Sequence, residues 1–236
     1  MTVVVVMARS LDAPADTIKT RLAECLPAEA RRRLHVACLA DTLAAARGLD
    51  NVSLRVARTP DGTGESFREV GLEPGHVFPQ EGDDLAERER AIFARMFRAG
   101  ARRVVLVGSD IPLLTTGILA EAVEALDADP LRVVLGPAAD GGYYLLGLTG
   151  PAAPDIFSGV RWSTPYTLAD TVRRCEFENR RVTFLPVLED LDTCDALERL
   201  RTTLSATPAL APHTARVLTS NASRLTPYAS RHTPHA

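Results

Sequence analysis

The chain opens with Thr2-Val3-Val4-Val5-Val6-Met7, a run with no polar residue after its first position. Successive side chains of a strand point to opposite faces, so an unbroken β-branched run needs apolar cover on both. The run is far shorter than the roughly twenty apolar residues that span a bilayer. It therefore predicts a central strand of a parallel sheet with helices packed above and below.

The rest of the sequence follows the same alternation. Further strands are read at residues 52–57, 76–79, 103–108, 132–135, 143–148 and 181–186. Helical patterning covers residues 19–47 with a break near Pro27, then 84–99, 116–126 and 166–177, and a last helix starts near Thr193. In the helix at 84–99, Leu85, Ile92, Phe93, Met96 and Phe97 share an apolar face, with Glu87, Arg88, Glu89, Arg95 and Arg98 expected largely elsewhere. Strand–helix alternation predicts an α/β fold, a three-layer αβα sandwich with a mainly parallel mixed sheet. Asp140-Gly141-Gly142 introduces a local antiparallel excursion.

Composition narrows the function. With 46% hydrophobic and 24% charged residues among 236, the chain has material for a sizeable core, which excludes wholesale disorder, collagen and disulfide scaffolds. A formal charge of -3 argues against a nucleic-acid partner, since phosphate contacts need a basic face. The four cysteines, Cys25, Cys38, Cys175 and Cys194, form no Cys-x-x-Cys pair, so neither zinc nor an oxidising compartment is called for. With no secretory signal and no membrane span, a cytoplasmic location is expected. Residues 203–236 contain no acidic residue and are rich in Ser, Thr, Pro and Ala, which predicts a mobile tail after a folded unit of residues 1–202.

Ligands of open parallel sheets bind at the carboxyl ends of the strands, and four polar clusters fall there. Asp110 follows the strand at 103–108 and suits an oxygen-ligated Mg²⁺ or Mn²⁺, with ordinary turn chemistry as the alternative. Asp192, in Asp190-Leu191-Asp192-Thr193, either joins the same cation or caps the last helix through its spacing to Asp195. Gln80 presents an amide able to read a nucleobase edge, whereas Asp84, three residues before Glu87, reads as a helix cap. Lys19, the sole lysine among 27 basic residues, lies with Arg21 where an anion would meet both side-chain charge and a helix N-terminus. Glycine is absent before Gly48, so no Gly-x-Gly-x-x-Gly or Walker loop follows the first strand.

The order of these segments is more informative than any one of them. Lys19-Thr20-Arg21-Leu22, Gln80 to Leu85, Gly108-Ser109-Asp110-Ile111-Pro112, Gly136-Pro137-Ala138-Ala139-Asp140-Gly141-Gly142-Tyr143-Tyr144-Leu145, Trp162-Ser163-Thr164 and Asp190-Leu191-Asp192-Thr193 occur in succession. This succession resembles a bacterial family of glycosyltransferases of the GT-A (nucleotide-diphospho-sugar transferase) fold, of the arsenosugar-biosynthesis or radical-SAM/selenium-domain-associated type. The resemblance runs over about residues 3–200 and is most specific at residues 136–145. It implies a divalent-metal-dependent transferase with a nucleotide-sugar donor and a small-molecule acceptor.

Carried onto this chain, the resemblance puts Lys19 and Arg21 on the donor phosphates and Asp110 and Asp192 on the metal. Gln80 and Gly82 fall in the nucleobase or donor loop. Asp140, Gly141, Gly142 and Trp162 fall near the sugar or acceptor, with Asp140 and Asp110 as the catalytic pair. The first loop departs from the family by carrying carboxylates at Asp12 and Asp16, which repel a diphosphate if they face it. Nucleotidyl transfer from a nucleoside triphosphate to a phosphorylated acceptor is the alternative chemistry. Non-catalytic nucleotide-sugar binding is the alternative class.

Overall fold

The computed structural model describes residues 1–150 and 155–220. Seven strands form one sheet: β1 (Thr2–Ala8), β2 (Val52–Arg58), β3 (Val77–Pro79), β4 (Arg103–Gly108), β5 (Arg132–Pro137), β6 (Tyr143–Thr149) and β7 (Arg181–Phe184). Their spatial order is β3-β2-β1-β4-β6-β5-β7. Every neighbouring pair is parallel except those made by β6, which runs antiparallel to both β4 and β5. The helices are α1 (Ala28–Arg47), α2 (Leu85–Arg98), α3 (Thr116–Ala128), α4 (Thr167–Phe177), α5 (Cys194–Ala206) and α6 (Pro212–Ser220).

The opening run does what its pattern requires. Val4 and Val6 pack into one core with Leu39 and Leu43 of α1 and Leu119 and Leu126 of α3. Val3 and Val5 enter the opposite core with Ile92, Phe93 and Met96 of α2 and Cys175 of α4. A third apolar cluster joins Leu34 and Cys38 of α1 to Leu197 and Leu204 of α5 and Ala215 and Leu218 of α6. The fold is thus the expected αβα sandwich, with an added helical layer beyond α1.

That layer corrects the expected mobile tail. Residues 203–220 complete α5, form a 3₁₀ turn at Pro208–Leu210 and fold into α6. The buried Asp41 of α1 accepts hydrogen bonds from the backbone N–H groups of His213 (3.0 Å) and Thr214 (2.8 Å), satisfying donors at the start of α6. Composition missed this because the acid that caps α6 lies 172 residues away. The expectation for residues 221–236 lies outside the described residues.

Two further expectations are revised. The segment carrying Lys19 and Arg21 is not the start of a helix. Thr20–Leu22 is a single 3₁₀ turn preceded by Lys19 in the left-handed region (φ 45°), and α1 begins only after Pro27. The helix expected to start beside Lys19 is therefore not formed there. Cys25 and Cys194, 169 residues apart, form a disulfide that ties this segment to the start of α5.

Candidate active site

The parallel strands end along one edge of the sheet, and β6, running the other way, starts there. A cavity of about 670 Å³ opens along that edge. Met7 and Ala8 of β1, Thr59 after β2, Gln80 after β3, Gly108 and Asp110 from β4, Ala138 after β5 and Tyr143 of β6 all line it. Arg9, Arg21, Asp140, Asp190, Trp162 and Glu89 complete its polar and aromatic wall.

Two glycines of the 136–145 segment shape this wall. A Cβ on Gly136 would lie 2.5 Å from the Tyr144 ring, whose hydroxyl donates to the Pro186 carbonyl at 2.9 Å. Gly141 has φ +91°, and a Cβ there would collide with the backbone of Pro165. The loop 138–142 is thereby held against the segment before α4, whose Leu168 N–H donates to Gly141 O at 3.0 Å. Asp140 Oδ1 accepts from Gly142 N at 2.8 Å, closing the turn beside the cavity.

At the α1 side of the cavity, Lys19 Nζ lies 2.8 Å from Asp110 Oδ1 and 3.9 Å from Asp192 Oδ1, and donates to Leu191 O at 2.8 Å. The Lys19 side chain is only 3% exposed, so its ammonium is enclosed rather than presented on the cavity wall. Arg21, 76% exposed, does line the wall, and its guanidinium stands 3.6 Å from Asp192 Oδ2. His35 of α1 lies beneath, with Nδ1 3.7 Å from Asp110 Oδ1 and Nε2 3.2 Å from the Arg9 carbonyl.

These contacts set the charges. Burial alone would raise the Asp110 pKa, but the Lys19 ammonium and His35 outweigh it and hold the carboxyl well below the usual range. Burial likewise disfavours the Lys19 ammonium, and Asp110 outweighs it to raise the Lys19 pKa. Asp110 Oδ1 is buried against this ion pair without a well-aligned hydrogen-bond donor, leaving Oδ2 as the oxygen open to the cavity.

Asp190 differs. Burial, followed by the carboxylates of Asp192, Asp140 and Asp110, raises its pKa, and among the described residues no cation pairs with it. Asp192, paired with Lys19 and Arg21, does not line the cavity, whereas Asp110, Asp140 and Asp190 line one side of it. Their hard oxygen donors and mutual repulsion fit a divalent cation, although among the described residues no three acidic, histidine or cysteine side chains already form a cage. The alternative of Asp192 as a helix cap does not hold: Thr193 takes that position, accepting from Ala196 N at 3.1 Å.

The remaining predicted residues divide. Gln80 lines the cavity, but its Nε2 donates to the carbonyls of Ala57 (2.8 Å) and Ala8 (3.4 Å), which leaves only Oε1 to meet a ligand. Gly82 is pressed against the start of α2 and is not a lining residue. Trp162 lines the cavity while packing near Tyr143 and Phe157, with ring centroids 6.3 Å away in each case. Asp84 caps α2 as expected, accepting from Glu87 N at 2.8 Å. The loop carboxylate Asp12 turns toward the opposite loop, accepting from Thr63 N at 3.0 Å, and neither it nor Asp16 lines the cavity.

The sequence reading missed Asp190, His35 and, above all, Glu89 with Tyr143. Glu89 is buried, and its Oε2 accepts from the Tyr143 hydroxyl at 2.6 Å. Burial pushes its pKa up to about 7, partly offset by that hydrogen bond. The signal was available: Glu89 stands four residues after Leu85, three before Ile92 and four before Phe93, on the apolar face of α2.

A seven-stranded sheet of this order is the α/β fold of nucleotide-diphospho-sugar transferases and nucleotidyltransferases, and its cavity lies at the strand ends. The family described as "Uncharacterized protein conserved in bacteria (DUF2064)" matches residues 42–164, over half of the chain, and the protein belongs to it. A structure from Desulfovibrio desulfuricans G20, provisionally named a nucleotide-diphospho-sugar transferase, superposes with a TM-score of 0.83 at 28% identity, covering 94% of this chain and 95% of that one. A cytidylyltransferase from Leptospira borgpetersenii has the same fold, with a TM-score of 0.58 at 16% identity over 98% and 99% of the two chains. The phosphoenolpyruvate guanylyltransferase of Nocardia farcinica is 30% identical over 137 residues, 56% of this chain. The match spans 59% of that curated relative's length. No helix among the described residues is long and apolar enough to cross a membrane.

Proposed function

We propose that the protein is a nucleotidyltransferase, passing a nucleotide from a nucleoside triphosphate to a phosphorylated small-molecule acceptor with release of pyrophosphate. The observation that carries this reading is the cavity's α1 side, where Arg21 and Arg9 share a wall with the carboxylates of Asp110 and Asp190. Such a wall suits a polyanion held through a cation, and the guanylyltransferase relative acts in this class. In this reading an acceptor phosphate oxygen attacks the α-phosphorus and the bond to the β-phosphate oxygen breaks. An acceptor that is already an anion needs no general base, and Asp140, a catalytic candidate from the sequence, is engaged with Gly142 N.

Asp110 Oδ2 and Asp190 would hold Mg²⁺ or Mn²⁺, which when bound neutralises charge on the phosphates, while Asp192 stands outside the cavity wall, paired with Lys19 and Arg21. Lys19 keeps the Asp110 carboxylate ionised and oriented. Arg21 and Arg9 take phosphate oxygens, and Gln80 Oε1 faces the nucleoside. Asp140, Gly142 and Trp162 form the wall assigned to the acceptor, with Gly141 behind it against Pro165.

Glycosyl transfer from a nucleotide sugar is the second reading, favoured by the Desulfovibrio relative, which covers nearly the whole chain. Incubation with GTP, CTP, ATP or UTP plus phosphoenolpyruvate and Mg²⁺ separates them. Pyrophosphate release is the expected result. Nucleoside diphosphate release from nucleotide sugars, with none of pyrophosphate, would overturn it in favour of the second reading.

A further inference from the structure

A recess of about 200 Å³ between α2 and the ends of β1, β4 and β6 adjoins the cavity, sharing Leu85, Glu89, Tyr143 and Tyr144 with its wall. Met7, Leu85, Leu106, Val107 and Leu146 make its walls apolar, and Glu89 lies within it. The polar inventory there is small. The Tyr144 hydroxyl is spent on Pro186 O, and the Tyr143 hydroxyl is spent on Glu89 Oε2. Among the described residues no hydrogen bond reaches Oε1, and Glu89 lines both the cavity and the recess. A buried acceptor in an apolar recess gains from a ligand donor, because an unmade hydrogen bond costs more there than in water.

The surroundings also set what can enter. No arginine, lysine or histidine lines the recess. The titratable groups facing Glu89 are Tyr143 and Tyr144 of β6, with Cys175 of α4 behind Tyr143, whereas β1 and β4 offer only Met7, Leu106, Val107 and Gly108. A phosphate or carboxylate meets an acid there with nothing to neutralise it. An uncharged group bearing N–H or O–H donors meets an acceptor.

We propose that Glu89 is a ligand-binding residue that accepts a hydrogen bond from the uncharged nucleoside part of the bound nucleotide, while the phosphates lie on the Arg21–Asp110 side. This rests on the reading of the cavity as a nucleotide site and deepens it. It divides one cavity into a phosphate end and a nucleoside end, with Glu89 marking the second. The donor is an N–H of the base or an O–H of the sugar, and both present the same chemistry to Oε1.

The test is calorimetric titration, with Mg²⁺, of inorganic pyrophosphate and of the diphosphates of guanosine, inosine, cytidine, uridine, adenosine and 2′-deoxyguanosine. Wild type, Glu89→Leu and Glu89→Gln are compared at pH 6 and pH 8. Glu89→Leu is expected to weaken the preferred nucleoside diphosphate at least tenfold and pyrophosphate less than twofold. Glu89→Gln, which keeps an acceptor but cannot ionise, is expected to stay within about threefold of wild type and to lose any pH dependence. A wild-type loss on replacing guanosine by inosine, absent in Glu89→Leu, assigns the contact to the base; a corresponding loss with the deoxynucleotide assigns it to the sugar. If Glu89→Leu binds every nucleoside diphosphate within twofold of wild type, the proposal is overturned while the phosphate site stands. Wild type binding neither pyrophosphate nor any nucleotide would overturn the nucleotide reading and this inference together.

Discussion

Asp110 and Glu89 are carboxyl groups on the wall of one cavity, and their environments drive them in opposite directions. Asp110 has a buried ammonium 2.8 Å away and stays ionised, whereas Glu89 has a tyrosine hydroxyl and apolar walls and sits near neutrality. Both pay for desolvation, and only one has a cation to offset it. Two titratable groups split in this way assign different tasks to the two ends of a cavity.

The comparison breaks most sharply at Lys19. Lys19→Met leaves Asp110 without its ammonium, and loss of one partner of a buried pair costs about 3–5 kcal/mol; the partial opening of Asp110 to the cavity places this variant at the lower end. The depressed Asp110 pKa gives stability that is present above the ordinary carboxylate range and lost as pH falls through the folded-state value. The deficit of Lys19→Met measured by urea denaturation should therefore hold from pH 7 to about pH 5 and narrow as the pH falls below the ordinary carboxylate value of 3.8. A constant deficit would show that packing, not charge, is what Lys19 supplies.

Next in size is the covalent tie at the same end. The Cys25–Cys194 disulfide joins the segment after Arg21 to the residue two after Asp192, and nothing comparable holds the Glu89 end. Removing a bridge that closes so long a loop costs about 2–5 kcal/mol. Melting with and without dithiothreitol should show this drop in wild type and none in Cys25→Ser. A melting temperature indifferent to reductant would mean that the tie contributes nothing to the folded state.

Glu89→Gln sharpens the other end. The carboxyl goes from an ordinary 4.5 to about 7 on folding. Such a raised pKa makes wild type lose stability as pH rises from 4.5 through 7, by about 3 kcal/mol in all. The amide lacks that loss, so its stability relative to wild type should climb between pH 5 and pH 8. Parallel pH profiles for the two proteins would remove the distinction between the cavity ends. The smallest stability effect belongs to Arg21→Ala: an exposed pair such as Arg21–Asp192 contributes about 0–1 kcal/mol. Its consequence should appear instead as weaker pyrophosphate binding in the same calorimeter, and unchanged affinity would take Arg21 out of the phosphate end.

Much of the fold was legible in the residues. The β-branched opening run could only be a strand covered twice, and Asp84 with Glu87 marked the start of α2 by capping chemistry. Residues 136–145 stood out because Gly136 must admit the Tyr144 ring and Gly141 must take a positive φ against Pro165. Glu89 was misassigned to the polar side of α2, although its spacing among Leu85, Ile92 and Phe93 places it on the apolar face, where the structure buries it. The tail was misjudged because composition registers what a segment lacks, and Asp41 supplied what residues 212–214 needed from another helix.

Sequence alone determined the αβα layering, the edge of the sheet along which the cavity opens and most of the polar residues gathered there, because local periodicity fixes which faces must be buried. Tertiary structure alone decided that Lys19 points inward to Asp110, that Cys25 meets Cys194 and that the acid on α2 lies in the same cavity as the acid after β4. Those outcomes depend on which distant side chain arrives beside a group when water leaves, and the energy of a buried charge is set by that neighbour rather than by its own place in the chain.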